Sequence, residues 1–262
     1  MTGTSEGWID LTGKLALVTG AAAGIGRASA MAMASAGAVT IVLDRDEHGA
    51  AQAANAIQAA GGRAIARQLD VTSEPAWHDL ADWLEREWGR VDILVNCAGI
   101  ARFDRVDEAM FETYREVFGV NVDGTLFGMT MALRFMRKTG QGAIVNISST
   151  ASLKGNPAMA SYGASKAAVS HFTRSAALET NRAGLDIRIN AVLPGFTDTA
   201  MAQAVHDRFD EKLGGHDKTL AIFSSGRAAQ PEEIANLVLF LASERASFVS
   251  GSTISIDRAQ GA

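Results

Sequence analysis

The chain has 262 residues, 47% of them apolar and 20% charged, with a formal net charge of −5. That is enough apolar matter for one substantial core, and an acidic balance without long blocks gives no electrostatic footprint for nucleic acid. The single cysteine excludes an internal disulfide, and Ile234 to Ala242, the best apolar stretch, is far too short to span a bilayer. Met1 to Asp10 lacks the basic and apolar blocks of a signal peptide, so the cytoplasm is the expected location.

The first predicted strand, Leu15–Thr19, runs into Gly20-Ala-Ala-Ala-Gly24-Ile25-Gly26 and a helix over Ile25–Ala36. Glycines at such a turn let the backbone approach a pyrophosphate, which then sits at the positive end of the helix. The spacing is Gly-x-x-x-Gly-x-Gly, not the commoner Gly-x-Gly-x-x-Gly, and alone it reads equally well as a bland turn. A second strand, Val39–Leu43, ends at Asp44, eighteen residues beyond Gly26. A carboxylate there accepts from both adenosine ribose hydroxyls and repels a 2′-phosphate, which favours NAD over NADP. Arg45 is the competing signal, since a guanidinium binds such a phosphate.

Further along, strands are predicted at Ala64–Leu69, Ile93–Asn96, Ala143–Ile147, Ile187–Leu193 and Thr253–Ile256. Helices are predicted at Asp46–Ala60, Glu74–Trp88, Glu112–Arg137, Ala160–Ala183 and Glu232–Ala242. Alternation of this kind predicts a single α/β domain over 1–262, a parallel sheet of about seven strands with helices on both faces. Ligands of such sheets bind at the carboxyl ends of the strands, where Gly20, Asp44, Asp70, Asn96, Ser149 and Pro194 all fall. One stretch, Phe196 to Ser225, reads as a mobile insertion. His206 and His216 within it read as solvated residues, and no histidine–carboxylate cluster suggests a metal site.

Tyr162 and Lys166 lie four residues apart, on one helical face, and Ser149 precedes the tyrosine by thirteen. A phenol with a pKa of roughly 10 is a poor base at neutral pH, and a neighbouring ammonium is expected to move that value down. The group then takes a proton from an alcohol or returns one to a ketone.

Taken in order, Thr19-Gly-x-x-x-Gly-x-Gly26, Asp70-Val71, Asn96-Cys-Ala-Gly99, Asn121, Ser149, Tyr162-x-x-x-Lys166 and Pro194-Gly195 resemble the short-chain dehydrogenase/reductase family over nearly the whole chain. The resemblance implies a Rossmann-like doubly wound fold and a role for each position. Asp70 would hold the adenine amino group and Val71 would flank the ring. Asn96, Ala98 and Gly99 would pack beside the cofactor. Asn121 would complete a catalytic tetrad with Ser149, Tyr162 and Lys166, holding a helix kink and a water that links Lys166 to solvent. Lys166 would also bind the nicotinamide ribose. Pro194, Gly195, Thr197 and Thr199 would position the nicotinamide.

The chain departs from the family pattern at Cys97, where a second asparagine is common, and at Arg258-Ala259-Gln260, where a glycine pair is common. The cysteine reads as a small buried hydrophobe. The resemblance places the substrate between Ile100–Phe103, Ala151–Met159 and the insertion, with Ala101, Phe103, Ala151, Leu153, Met159, Phe196 and Met201 as wall residues. Arg102 is the nearby cation that could grip an anionic substrate, but it reads more readily as a solvated surface arginine. The stretch Ala177 to Asn190, with two more residues before its strand than many members carry, and Leu237 to Ser243 resemble the branch acting on hydroxysteroids and alicyclic alcohols. Together with the mostly apolar walls, that resemblance favours a bulky or cyclic secondary alcohol, with a sugar or polyol dehydrogenase and a 3-oxoacyl reductase as rivals. A non-catalytic NAD sensor is the rival of another class, and an intact base argues against it. Kinship also implies a homotetramer built on the two long helices, with Met129, Met131 and Met136 as candidate contact residues, although plain core filling explains them equally well.

Overall fold

A computed structural model of the chain describes residues 8–108, 111–213 and 227–260. Seven strands form one parallel sheet: β1 (Leu15–Thr19), β2 (Val39–Asp44), β3 (Arg63–Gln68), β4 (Ile93–Asn96), β5 (Gln141–Ile147), β6 (Asp186–Pro194) and β7 (Thr253–Ile256). They lie in the order β3-β2-β1-β4-β5-β6-β7. The order reverses between β1 and β4, and a doubly wound sheet opens a crevice at that point.

Strand residues alternate between two cores. Ala16, Val18, Val42, Val95, Val145 and Val192 face one side. There they meet α1 (Gly24–Ser35), α2 (Glu47–Ala59) and α8 (Pro231–Ala242) through Met33, Ile57 and Leu241. Leu15, Leu17, Ile41, Leu94, Ile144 and Ile189 face the other. They are covered by α3 (Glu74–Glu87), α5 (Gly124–Thr139) and α6 (Ala160–Arg182) through Leu84, Phe135 and Ala177. Burial on both faces explains why the central strands, β1, β2, β4 and β6 among them, read as largely apolar runs. No described helix is long and apolar enough to cross a membrane.

The predicted helix Glu112–Arg137 is broken. It is α4 (Phe111–Phe118), one π-helical turn at Gly119–Asp123, and then α5. Asn121 sits in that turn, fully buried. Met129, Met131 and Met136 are 3%, 6% and 0% exposed within the chain's own core, so they fill that core and leave no side chain for a subunit contact. The Phe196–Ser225 segment contains a helix, α7 (Ala200–Leu213). His216 and the side chain of His206 lie outside the described residues.

One polar chain links sheet to helix. Asn96 donates Nδ2 to Asn146 Oδ1 at 2.9 Å, and Asn146 donates Nδ2 to Thr173 Oγ1 at 2.9 Å. Strands β4 and β5 are thereby tied to α6, the helix that carries Tyr162 and Lys166. Replacing Asn146 with Leu strands both neighbours in a dry site. The thermal midpoint should fall, corresponding to a loss of about 2–4 kcal/mol, as followed by circular dichroism.

Candidate active site

The carboxyl ends of β1, β2, β4, β5 and β6 open into one cavity of about 580 Å³. Gly20, Gly24, Ile25 and Gly26 line it at the start of α1. The backbone there leaves no room for side chains. A Cβ on Gly20, which has φ +65°, would come within 2.8 Å of Ala98 N, and a Cβ on Gly26 would collide with the Gly20 carbonyl. The N-cap of α1, Ala23, offers no side-chain cap, and no acidic residue sits in the first turn. A helix start of this kind suits an anion, and the residues fit a dinucleotide pyrophosphate. The Thr19 hydroxyl stitches the two sides of the crevice by accepting from Cys97 N at 3.0 Å and Ala98 N at 3.1 Å.

Asp44 is fixed at the rim, with Oδ2 accepting from Ala22 N and Oδ1 from Asp46 N, each at 3.0 Å. Exposed Arg45 lines the same end. Asp70 and Val71 follow. The hydroxyl and amide of Thr72 both donate to Asp70 and hold its carboxyl below the usual range. Ala98, Gly99, Pro194, Gly195, Thr197 and Thr199 also line the cavity.

Asn96 does not. It is 4% exposed and committed to the Asn146 chain, because it lies within β4 and its side chain enters the layer between sheet and α5. Asn121 also stays outside the cavity wall. Its Nδ2 donates to the Ile100 carbonyl at 3.0 Å and to Ser165 Oγ at 2.9 Å, while its Oδ1 accepts from Ile100 N at 2.8 Å. Ser165 Oγ in turn donates to the Tyr162 carbonyl at 2.7 Å. From the π turn between α4 and α5, Asn121 therefore braces the helix under the tyrosine.

Ser149, Tyr162 and Lys166 converge on the cavity. Lys166 Nζ donates to the Ile147 carbonyl at 2.9 Å and stands 5.9 Å from the Tyr162 ring centre. Burial brings the lysine down to about 8, so the ammonium is still the major form at pH 7. Burial raises the Tyr162 pKa, against a hydrogen bond with Ser149 that lowers it. The expected downward shift is thus absent from the protein by itself, because loss of solvent outweighs the helpers around the phenol. Burial also pushes the Cys97 thiol up to about 12, so it remains protonated.

On the substrate side Ala101, Ala151, Met159, Phe196 and Met201 line the cavity. Leu153 does not: it ends the short turn after Ser149 and is 56% exposed. Phe103 is also outside the wall, in a segment pinned to the start of α6 by Asp104. Arg102 is engaged with Glu116 through two hydrogen bonds of 3.0 and 2.5 Å. Lys154, Asn156, Val205 and Gln260 join the wall without having been predicted for it. Lys154 and Asn156 belong to the predicted Ala151–Met159 loop, and Gln260 to the unusual C-terminus.

Residues 14–209 match the family model for short chain dehydrogenases. A cyclopentanol dehydrogenase from Comamonas sp. is 39% identical over 93% of this chain and 95% of its own length. A 3-oxoacyl-[acyl-carrier-protein] reductase from Thermotoga maritima is 35% identical over 94% and 97%. The crystal structure of a gluconate 5-dehydrogenase from Burkholderia cenocepacia, in complex with NADP and tartrate, superposes with a TM-score of 0.86 at 32% identity, covering 96% of each chain. With the family pattern over most of its length and such relatives from end to end, the chain belongs to the short-chain dehydrogenase/reductase family.

Proposed function

We propose that this oxidoreductase uses NAD to interconvert a secondary alcohol and its ketone, with a bulky or cyclic apolar alcohol as substrate. The observation that carries the reading is the convergence of Ser149, Tyr162 and Lys166 on the cavity floored by the glycine turn. When bound, the dinucleotide supplies the nicotinamide carbon that takes or returns a hydride. The chain's own residues handle the proton. Ser149 and Tyr162 hold the alcohol oxygen; Tyr162 as phenolate takes the hydroxyl proton, and Ser149 steadies the oxygen as its charge changes. Lys166 supplies the positive charge that favours the phenolate. Asp44 supports NAD, since a carboxylate held at the end of β2 suits ribose hydroxyls and repels a 2′-phosphate. The walls Ala151, Met159 and Phe196 and the cyclopentanol-oxidising relative support the cyclic alcohol. A homotetramer fits exposed Phe111 and Tyr114 on α4 and Leu178 on α6, at 71%, 44% and 50%.

A panel of cyclopentanol, larger cyclic alcohols, polyols and 3-hydroxyacyl esters, followed by NADH absorbance, tests the reading. Cyclic alcohols should lead, and an inert panel would reject it. In Tyr162→Phe turnover should drop by about 10²–10⁴-fold while NADH still binds by fluorescence titration; retained turnover would remove Tyr162 from its role.

Asp44→Ala should narrow the NAD-over-NADP ratio of kcat/KM by about tenfold or more. An unchanged ratio would place the choice elsewhere.

Oxidation needs the phenolate, so kcat/KM should rise with pH and the reductive direction should fall. In Lys166→Met the rising limb should move to higher pH, since a buried phenol without its cation holds its proton longer. A limb at the original pH would refute the tuning role.

A further inference from the structure

The C-terminal residues after β7 do something that the alcohol chemistry alone leaves unused. Gly195 N donates to the Ile256 carbonyl at 3.0 Å, which holds the end of β6 beside that of β7. Beyond β7 the chain makes a tight turn, with Ala259 N donating to Asp257 Oδ1 at 3.1 Å and Gln260 N to the Asp257 carbonyl at 3.1 Å. Arg258 and Ala259 adopt φ values of +49° and +64° in succession, a left-handed conformation that residues with a Cβ rarely take. The turn returns Gln260 to the cavity, where it meets two separate walls. Its Oε1 accepts from Phe196 N at 3.1 Å, and its main-chain carbonyl accepts from Lys154 Nζ at 2.6 Å. Phe196 opens the segment after β6, and Lys154 belongs to the loop that carries Ser149 and Met159. All three residues line the same cavity. The approach is close enough that a Cβ on Gly195 would fall 2.7 Å from Gln260 Oε1.

We propose that Gln260 is a positioning residue for the alcohol site: with one side-chain oxygen and one main-chain oxygen it clasps the Phe196 and Lys154 walls together and sets how tightly the alcohol is held. This rests on the reading of the cavity as an alcohol site. The strained turn has a use on this account, since it is what brings a residue from the far end of the sequence back across the pocket. Ser149, Tyr162 and Lys166 are held by other contacts, so the clasp acts on binding more than on the chemical step.

The test compares Gln260→Met, which keeps the bulk and loses the acceptor, with Gln260→Glu, which keeps an acceptor oxygen. In Gln260→Met the KM for cyclopentanol should rise about three- to tenfold, as expected for one lost hydrogen bond. The kcat should stay within about twofold, and Gln260→Glu should restore the KM. Hydrogen exchange at the Phe196 amide, read by NMR without any ligand, should quicken in Gln260→Met and stay slow in Gln260→Glu, with thermal melting as the check on folding. Equal protection of that amide in Gln260→Met, or an unchanged KM, would overturn the clasp. If the parent chain oxidises no alcohol, the functional reading fails, yet the exchange comparison still decides whether the clasp exists.

Discussion

The arrangement turns on a charge kept in a place that disfavours charge. Lys166 is 5% exposed, donates to the Ile147 carbonyl, and has its pKa brought down to about 8 by loss of solvent. The same loss of solvent raises the Tyr162 phenol. Each shift, taken alone, moves the pair toward the neutral forms, amine and phenol. A base is available only while the amine holds its proton and the phenol gives its own up, so the two groups must be held close and still. Spacing four residues apart on α6 supplies the closeness. The stillness has to come from elsewhere.

It comes from polar contacts that fasten α6 along its length. At its start no side chain from its own cap serves the first turn, and Asp104 accepts instead from Ser161 N at 3.2 and 3.1 Å and from the Ser161 hydroxyl. One turn on, Asn121 holds Ser165. Ser148 Oγ donates to the Lys166 carbonyl at 2.8 Å and pairs with Ser170 Oγ at 2.8 Å. Asn146 holds Thr173. These groups come from a loop, from the π turn and from the end of β5, and each buried one, if unpaired, would leave a polar atom unsatisfied at a cost of about 1–3 kcal/mol. The helix therefore cannot rotate or slide without breaking several of them together. That fixity keeps a modest electrostatic effect directed at one hydroxyl.

Much of this was legible from residue order, and the exceptions have a common physical origin. Strand and helix positions followed from apolar runs and turns, because a sheet covered on both faces leaves a strong local pattern. The glycine turn, Asp44 and the Tyr162–Lys166 pair were legible because their function requires neighbours at fixed spacing on one element. The π turn at Asn121 was legible only through the family resemblance, which implies a kink there, since the residues from Glu112 to Arg137 keep a helical pattern and the partner of Asn121, Ile100, lies twenty-one residues away. Asn96 sits beside a cofactor motif in sequence, but the alternation of β4 turns its side chain into the core. Leu153 and Phe103 lie in loops without periodicity, which gives no indication of which side faces the pocket. Gln260 was visible only as a departure from the usual glycine pair.

Cys97 shows how a departure can leave the chemistry intact. The thiol lines the cavity together with Lys166 and Tyr162, and burial holds it in the neutral form by pushing it up to about 12. A thiolate or carboxylate in that position would offer Lys166 a counter-charge. The ammonium would then be easier to keep, but its field would be spent on the wrong anion. A neutral thiol gives neither benefit nor competition. The lysine pays for its charge with a depressed pKa, and the phenol remains the group beside it that can lose a proton into its field. Asparagine, which the family resemblance gives as common at this position, is neutral as well, so the cysteine keeps the charge beside Lys166 unchanged.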